Sequence, residues 1–154
     1  MAITRNLVVG RIEHQWTLRV RPEDLETWRK AVSEVLGNWR VTRETAELTL
    51  QGVMELLVNV HRHVPDPRCR LRLSCGGAEL RVAVSDRSAR APRVGLAPDW
   101  TAEHGRGLWL LREMADDFGY CSAASGCACG DDGLRMAKTV WFVCRGAFRP
   151  AVVA

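Results

Sequence analysis

Between Pro22 and Val64 the chain carries two consecutive apolar stripes at helical spacing, and from Arg70 to Ser85 it switches to strict alternation. That change of period constrains the fold more than any other feature, because a 3.6-residue stripe and a 2-residue alternation bury their apolar faces in different elements. In the first stripe, Pro22 opens the helix with Glu23 and Asp24 at its positive end, and Leu25, Trp28, Val32, Val35, Leu36 and Trp39 follow. Proline and acidic residues favour the first turn, and the pattern predicts an end near Gly37-Asn38. Thr42 is a predicted N-cap for the second helix, with Glu44 in its first turn and Pro65-Asp66-Pro67 as its stop. Its core stripe reads Leu50, Val53, Leu57, Val60 and Val64.

Strands are predicted before and after this pair. Trp16 to Arg21 alternates apolar and polar residues, as do Arg70–Ser74 and Glu79–Ser85 around Gly76-Gly77, a hairpin signal. A loop over 86–103 leads to a third helix starting around His104–Gly107, with Leu108, Leu111, Met114 and Ala115 inward. Phe118–Cys121 reads as a short strand, 122–133 as a loop, and Lys138–Arg145 as a final strand apolar on both faces. The order β-α-α-β-β-loop-α-β-loop-β predicts an α/β fold, a two-layer sandwich of one mixed sheet with helices on one face.

At 154 residues and 47% hydrophobic, the chain suits a single domain spanning 1–154. No apolar run approaches the length of a membrane span or a signal-peptide core, so a soluble, cytoplasmic protein without membrane contact is expected. The net charge of +4 is modest, yet 20 of the 22 basic residues are Arg, leaving only Lys30 and Lys138 as lysines. The arginines are spread along the chain without a dense block, which favours genome composition over a nucleic-acid surface. No direct nucleic-acid partner is expected, although an arginine-rich nucleic-acid binder stands as a minor alternative. The six cysteines (Cys69, Cys75, Cys121, Cys127, Cys129 and Cys144) lack paired zinc-clamp spacing and are expected as reduced thiols.

Three polar clusters carry the chemistry. Glu55, Asn59 and His63 lie at i, i+4 and i+8 on one face of the second helix. A carboxylate that can orient a hydroxyl and a neutral oxygen that can ligate Mg²⁺ suit phosphoryl chemistry, whereas a solvated polar face is the plain alternative. Asp86 ends the apolar alternation of the hairpin's second strand, where it could accept from an exocyclic amine or simply open a turn. His104-Gly105-Arg106-Gly107-Leu108 begins the third helix, where glycines and free N–H groups suit an anion. It lacks the Gly-Lys-Ser/Thr of a Walker loop and the third glycine of a dinucleotide fingerprint.

Taken in order, these clusters resemble the GHKL ATPase superfamily, which includes histidine-kinase catalytic domains, gyrase-type ATPases and anti-sigma-factor serine kinases. Glu55-Leu56-Leu57-Val58-Asn59-Val60-His61-Arg62-His63 resembles its N-box, and Val84-Ser85-Asp86 its adenine-binding box. Gly105-Arg106-Gly107-Leu108-Trp109-Leu110-Leu111 is similar to its glycine-rich box, and Ala137-Lys138-Thr139-Val140-Trp141-Phe142 to its last strand. The resemblance runs from about Trp16 to Arg145 and is strongest to the small anti-sigma-factor kinases.

The resemblance implies ATP and Mg²⁺ as cofactors, with Asn59 on the metal, Asp86 selecting adenine and Thr139 near it. It places Gly105, Gly107 and Leu108 at the phosphates and makes Glu55 the base for a serine hydroxyl. His63 and a lid arginine (Arg87, Arg90, Arg93 or Arg106) would add positive charge. It further implies a sigma factor or similar partner and an antagonist protein as phosphoacceptor, with homodimerisation compatible. The family's Asp-x-Gly-x-Gly is here Asp86-Arg87-Ser88-Ala89-Arg90, with both glycine positions filled. A nucleotide- or partner-binding module without catalysis is therefore the second expectation.

Overall fold

In the computed structural model of the protein the described residues are 4–5, 11–92, 106–122 and 135–150. Their elements are β1 (Thr4–Arg5), β2 (Ile12–Arg19), α1 (Leu25–Asn38), α2 (Arg43–His63), β3 (Arg68–Gly76), β4 (Glu79–Asp86), α3 (Arg106–Met114), β5 (Asp117–Ser122) and β6 (Lys138–Arg145). Pro22–Asp24 forms a 3-10 turn that feeds α1. Among the described residues no helix is long and apolar enough to cross a membrane.

The sheet order is β1-β2-β3-β4-β6-β5, and every neighbouring pair is antiparallel. The α/β sandwich agrees with expectation; the mixed sheet does not. A strand-helix-strand passage from β4 through α3 to β5 suggests parallel neighbours, but β6 inserts between them and pairs antiparallel with both.

One apolar layer joins sheet and helices. Trp16, Leu71, Leu73, Val82, Val84 and Phe142 face Val32, Leu36, Val53, Leu57 and Val60, and all of them are buried in one cluster. The α2 stripe is wider than expected, since Thr49, Gly52 and Leu56 are also buried while Leu50 is only half so. In α3, Leu108 and Leu111 are buried but Met114 is 61% exposed, against expectation. Six residues after Leu108 it lies roughly 120° around the helix, off the inward line.

Local signals set the element ends. The Thr42 side chain accepts from the Thr45 amide at 3.4 Å, capping α2 as expected. Gly76 pairs with Glu79, and Gly77 takes φ +60 as the first residue of a two-residue hairpin loop. The end of α1 is less ordinary. Arg40, at φ 58, occupies the left-handed position, while the Val41 amide donates to Leu36 O and the Arg40 amide to Gly37 O, each at 3.0 Å.

β2 starts at Ile12, earlier than the alternation suggests, because His14 takes an inward position and stacks on Trp16 at 5.8 Å. Cys69, Cys75 and Cys144 are free thiols, but Cys121 is disulfide-bonded, which corrects the expectation of six reduced cysteines.

Candidate nucleotide site

α2 crosses the sheet so that its half-buried edge, carrying Glu55 and Asn59, faces the end of β4 and the start of α3. The resulting cavity measures about 460 Å³. Glu55, Asn59, His63, Asp86, Arg90 and Leu108 all line it, so six side chains from three separate stretches of sequence meet there. Val60, Val84 and Val140 supply apolar wall, and Arg62, Ser88 and Lys138 further polar groups.

Asp86 is the most enclosed acid. It is 4% exposed at the last position of β4, with its backbone carbonyl accepting from the Ala137 amide at 2.7 Å. Its Oδ1 accepts the Ser88 amide at 2.8 Å, and its Oδ2 lies 3.2 Å from Lys138 Nζ. Burial pushes its carboxyl above the ordinary aspartate value of 3.8, although the Ser88 amide and the Lys138 ammonium pull the other way. Lys138 Nζ also donates to the Arg90 carbonyl at 2.7 Å, tying β6 to the turn after β4.

Glu55 is held differently. Its carboxylate lies against Gly107, where any Cβ would collide with it. The glycine of the expected phosphate box therefore makes room for a side chain of the N-box. The positive end of α3 is a favourable place for that carboxylate.

The remaining expected residues fall in three groups. Gly105 and Arg93 lie outside the described residues, as does the side chain of Arg106, whose backbone begins α3. Arg87 points away from the cavity and pairs with Asp66 at 3.1 Å. Asp66 also binds Arg68 at 2.6 Å, and that hydrogen bond is the main cause holding its carboxyl down at about 2. Thr139 departs from expectation. It lies opposite Ser85 with their hydroxyls 2.7 Å apart, whereas its neighbours Lys138 and Val140 line the cavity. Alternation along β6 puts Thr139 on the other face of the sheet from the cavity that Lys138 and Val140 line.

Sequence reasoning missed Lys138 because its strand reads as apolar throughout. The signal in the sequence was its rarity, one of two lysines among 22 basic residues; its position directly across from Asp86 emerges only from the strand pairing.

The donor set fits a magnesium nucleotide. Mg²⁺ keeps several waters and takes few protein ligands beside substrate phosphates, and the Asn59 side-chain oxygen at the cavity wall is available as one. Among the described residues no cluster of three His, Cys, Asp or Glu could form a metal cage. Arg62, His63, Arg90 and Lys138 at the cavity wall suit an anion, and the valines suit a flat ring.

Compared with known families, the profile of the histidine kinase-like ATPase domain matches residues 18–129, well over half of the chain. The chain belongs to this family. No match was found among curated proteins. In this histidine kinase-like ATPase domain the matched stretch holds Glu55, Asn59, Asp86 and Gly107 but ends before β6. The two β6 positions that differ from expectation, Lys138 and Thr139, therefore lie beyond it.

Proposed function

We propose that this histidine kinase-like ATPase domain binds Mg-ATP in the cavity between α2, β4 and α3 and works as a protein serine/threonine kinase of the anti-sigma-factor type. The observation that carries this reading is that Glu55 and Asn59, one helical turn apart, line the same cavity as the buried Asp86. Asp86 would accept the exocyclic amine of adenine, with Val84 and Val140 against the ring. Asn59 would hold Mg²⁺, which supplies charge neutralisation at the phosphates. Arg62, His63 and Arg90 would add positive charge around them.

Glu55 would then accept the proton of a serine or threonine hydroxyl on an antagonist protein as the hydroxyl oxygen bonds to the γ-phosphorus. The bond from that phosphorus to the β–γ bridging oxygen would break in the same step, so that ADP leaves with the bridging oxygen. Phosphoryl transfer depends chiefly on positioning and charge, so a carboxylate fixed against the α3 backbone suits the task. The domain would also bind a sigma factor or a similar regulator, as the resemblance to anti-sigma-factor kinases implies.

One observation supports a second reading, a non-catalytic nucleotide- or partner-binding module. Ser88 and Arg90 fill the expected glycine positions, and the Ser88 amide and Arg90 carbonyl are both engaged, by Asp86 and Lys138 respectively. A turn tied down in this way has less freedom to close over phosphates. Incubating the protein with γ-labelled Mg-ATP and its serine-bearing antagonist separates the two. The kinase reading expects label on the antagonist, lost in Glu55→Ala. Saturable Mg-ATP binding with no transfer overturns it in favour of the module.

A further inference from the structure

Asp86 and Lys138 sit at directly opposed register positions of β4 and β6. Their side chains are 5% and 8% exposed, so each charge is tolerated inside the protein through the other. An ammonium has three N–H donors. One reaches Asp86 Oδ2 at 3.2 Å and another the Arg90 carbonyl at 2.7 Å, and these two contacts leave one N–H over. On the carboxylate, Oδ1 takes the Ser88 amide and Oδ2 the lysine, out of about four lone-pair sites. The cavity therefore has an acceptor and a donor side by side, between the apolar walls of Val84 and Val140.

We propose that Lys138 is a second base-reading residue, donating to the ring nitrogen N1 of adenine while Asp86 accepts from the neighbouring exocyclic amine. This assignment rests on the nucleotide reading given above. A donor beside an acceptor complements the amine-plus-N1 edge of adenine. In the same pose guanine would turn its O6 acceptor toward the carboxylate and its N1–H donor toward the ammonium, a mismatch at both positions. A charged donor also makes N1 count for more than a neutral one would.

The test is calorimetric titration of the whole protein with Mg-ADP, with the Mg complex of 1-deaza-ADP (N1 replaced by C–H) and with Mg-GDP. Each is run on the wild type and on Lys138→Met. The wild type should bind the 1-deaza analogue and GDP at least roughly tenfold more weakly than ADP, the scale of a lost charge-assisted hydrogen bond. Lys138→Met should bind ADP correspondingly weakly and be indifferent to loss of N1.

Equal affinity of the wild type for ADP and its 1-deaza analogue overturns the assignment, and this comparison holds even if the variant does not fold. So does tighter ADP binding by Lys138→Met, which would make the lysine a competitor for Asp86. GDP bound as tightly as ADP overturns it too. Failure of every nucleotide to bind the wild type would instead sink the nucleotide reading itself, and the assignment with it.

Discussion

The carboxylate of Glu55 lies across the backbone of Gly107, in the space that any larger residue's Cβ would fill. This contact joins the middle of α2 to the start of α3 and holds Glu55, the residue proposed as the base. Gly107→Ala should therefore either turn Glu55 aside or part the two helices. The atoms in the way belong to a flexible, half-buried side chain, so we expect Glu55 to swing aside with a loss of stability of no more than about 1 kcal/mol. In a Glu55→Ala background the same substitution should cost little. Urea denaturation of the four proteins in this cycle checks the coupling, and additive losses would show that the contact is not the cause.

Nucleotide affinity should fall as the pH is lowered through the range in which Asp86 titrates, which burial raises above the ordinary 3.8, because the carboxyl becomes a donor when protonated. The groups facing it are the Lys138 ammonium and, across β3, the Cys69 thiol, which burial pushes up to about 12 and so keeps neutral throughout. The sign for folding is the reverse. A carboxyl whose folded value is raised contributes stability as the pH falls through that value, so the free protein should gain stability from Asp86 while it loses affinity. Calorimetric Kd values across this range, compared with those of Asp86→Asn, isolate the effect from other titrations in the cavity. Parallel pH profiles for the two proteins would count against it.

Arg40→Gly should stabilise the fold by about 1 kcal/mol, since the left-handed conformation costs a residue with a Cβ roughly 1–2 kcal/mol and glycine offsets part of that through chain entropy. The position closes a Schellman-type end in which Val41 and Leu36, both buried, also pack near one another. A higher thermal midpoint with unchanged nucleotide affinity is expected. A drop would mean that the arginine side chain does something the backbone does not show.

Much of this architecture was legible because periodicity reports burial. The two helices and the hairpin follow directly from the spacing of residues such as Val53, Leu57, Leu71 and Val84. Grouping Glu55, Asn59 and Asp86 was possible through their resemblance to the superfamily's successive boxes, since by pattern alone they equally suit a solvated helix face and a turn. Strand pairing was not legible. A sequence does not state that β6 inserts between β4 and β5, and without that fact neither the antiparallel sheet nor the Asp86–Lys138 pair can be read. Thr139 failed for a related reason: a one-residue difference along a strand changes its face, and only the register with Ser85 settles which residue looks into the cavity. Likewise the Asp66 pairing that draws Arg87 away from the cavity depends on two loops meeting in space.

Binding of Mg-ATP, measured by calorimetry on the wild type and on Asp86→Ala, tests the central claim most directly. One nucleotide per chain is expected, with affinity lost or reduced by at least roughly tenfold when the buried carboxylate is removed, the scale of a hydrogen bond to a charged group. A circular dichroism melt of the variant establishes that it is folded. No binding at millimolar Mg-ATP, or equal binding by a folded Asp86→Ala, would contradict the assignment of this cavity as the nucleotide site.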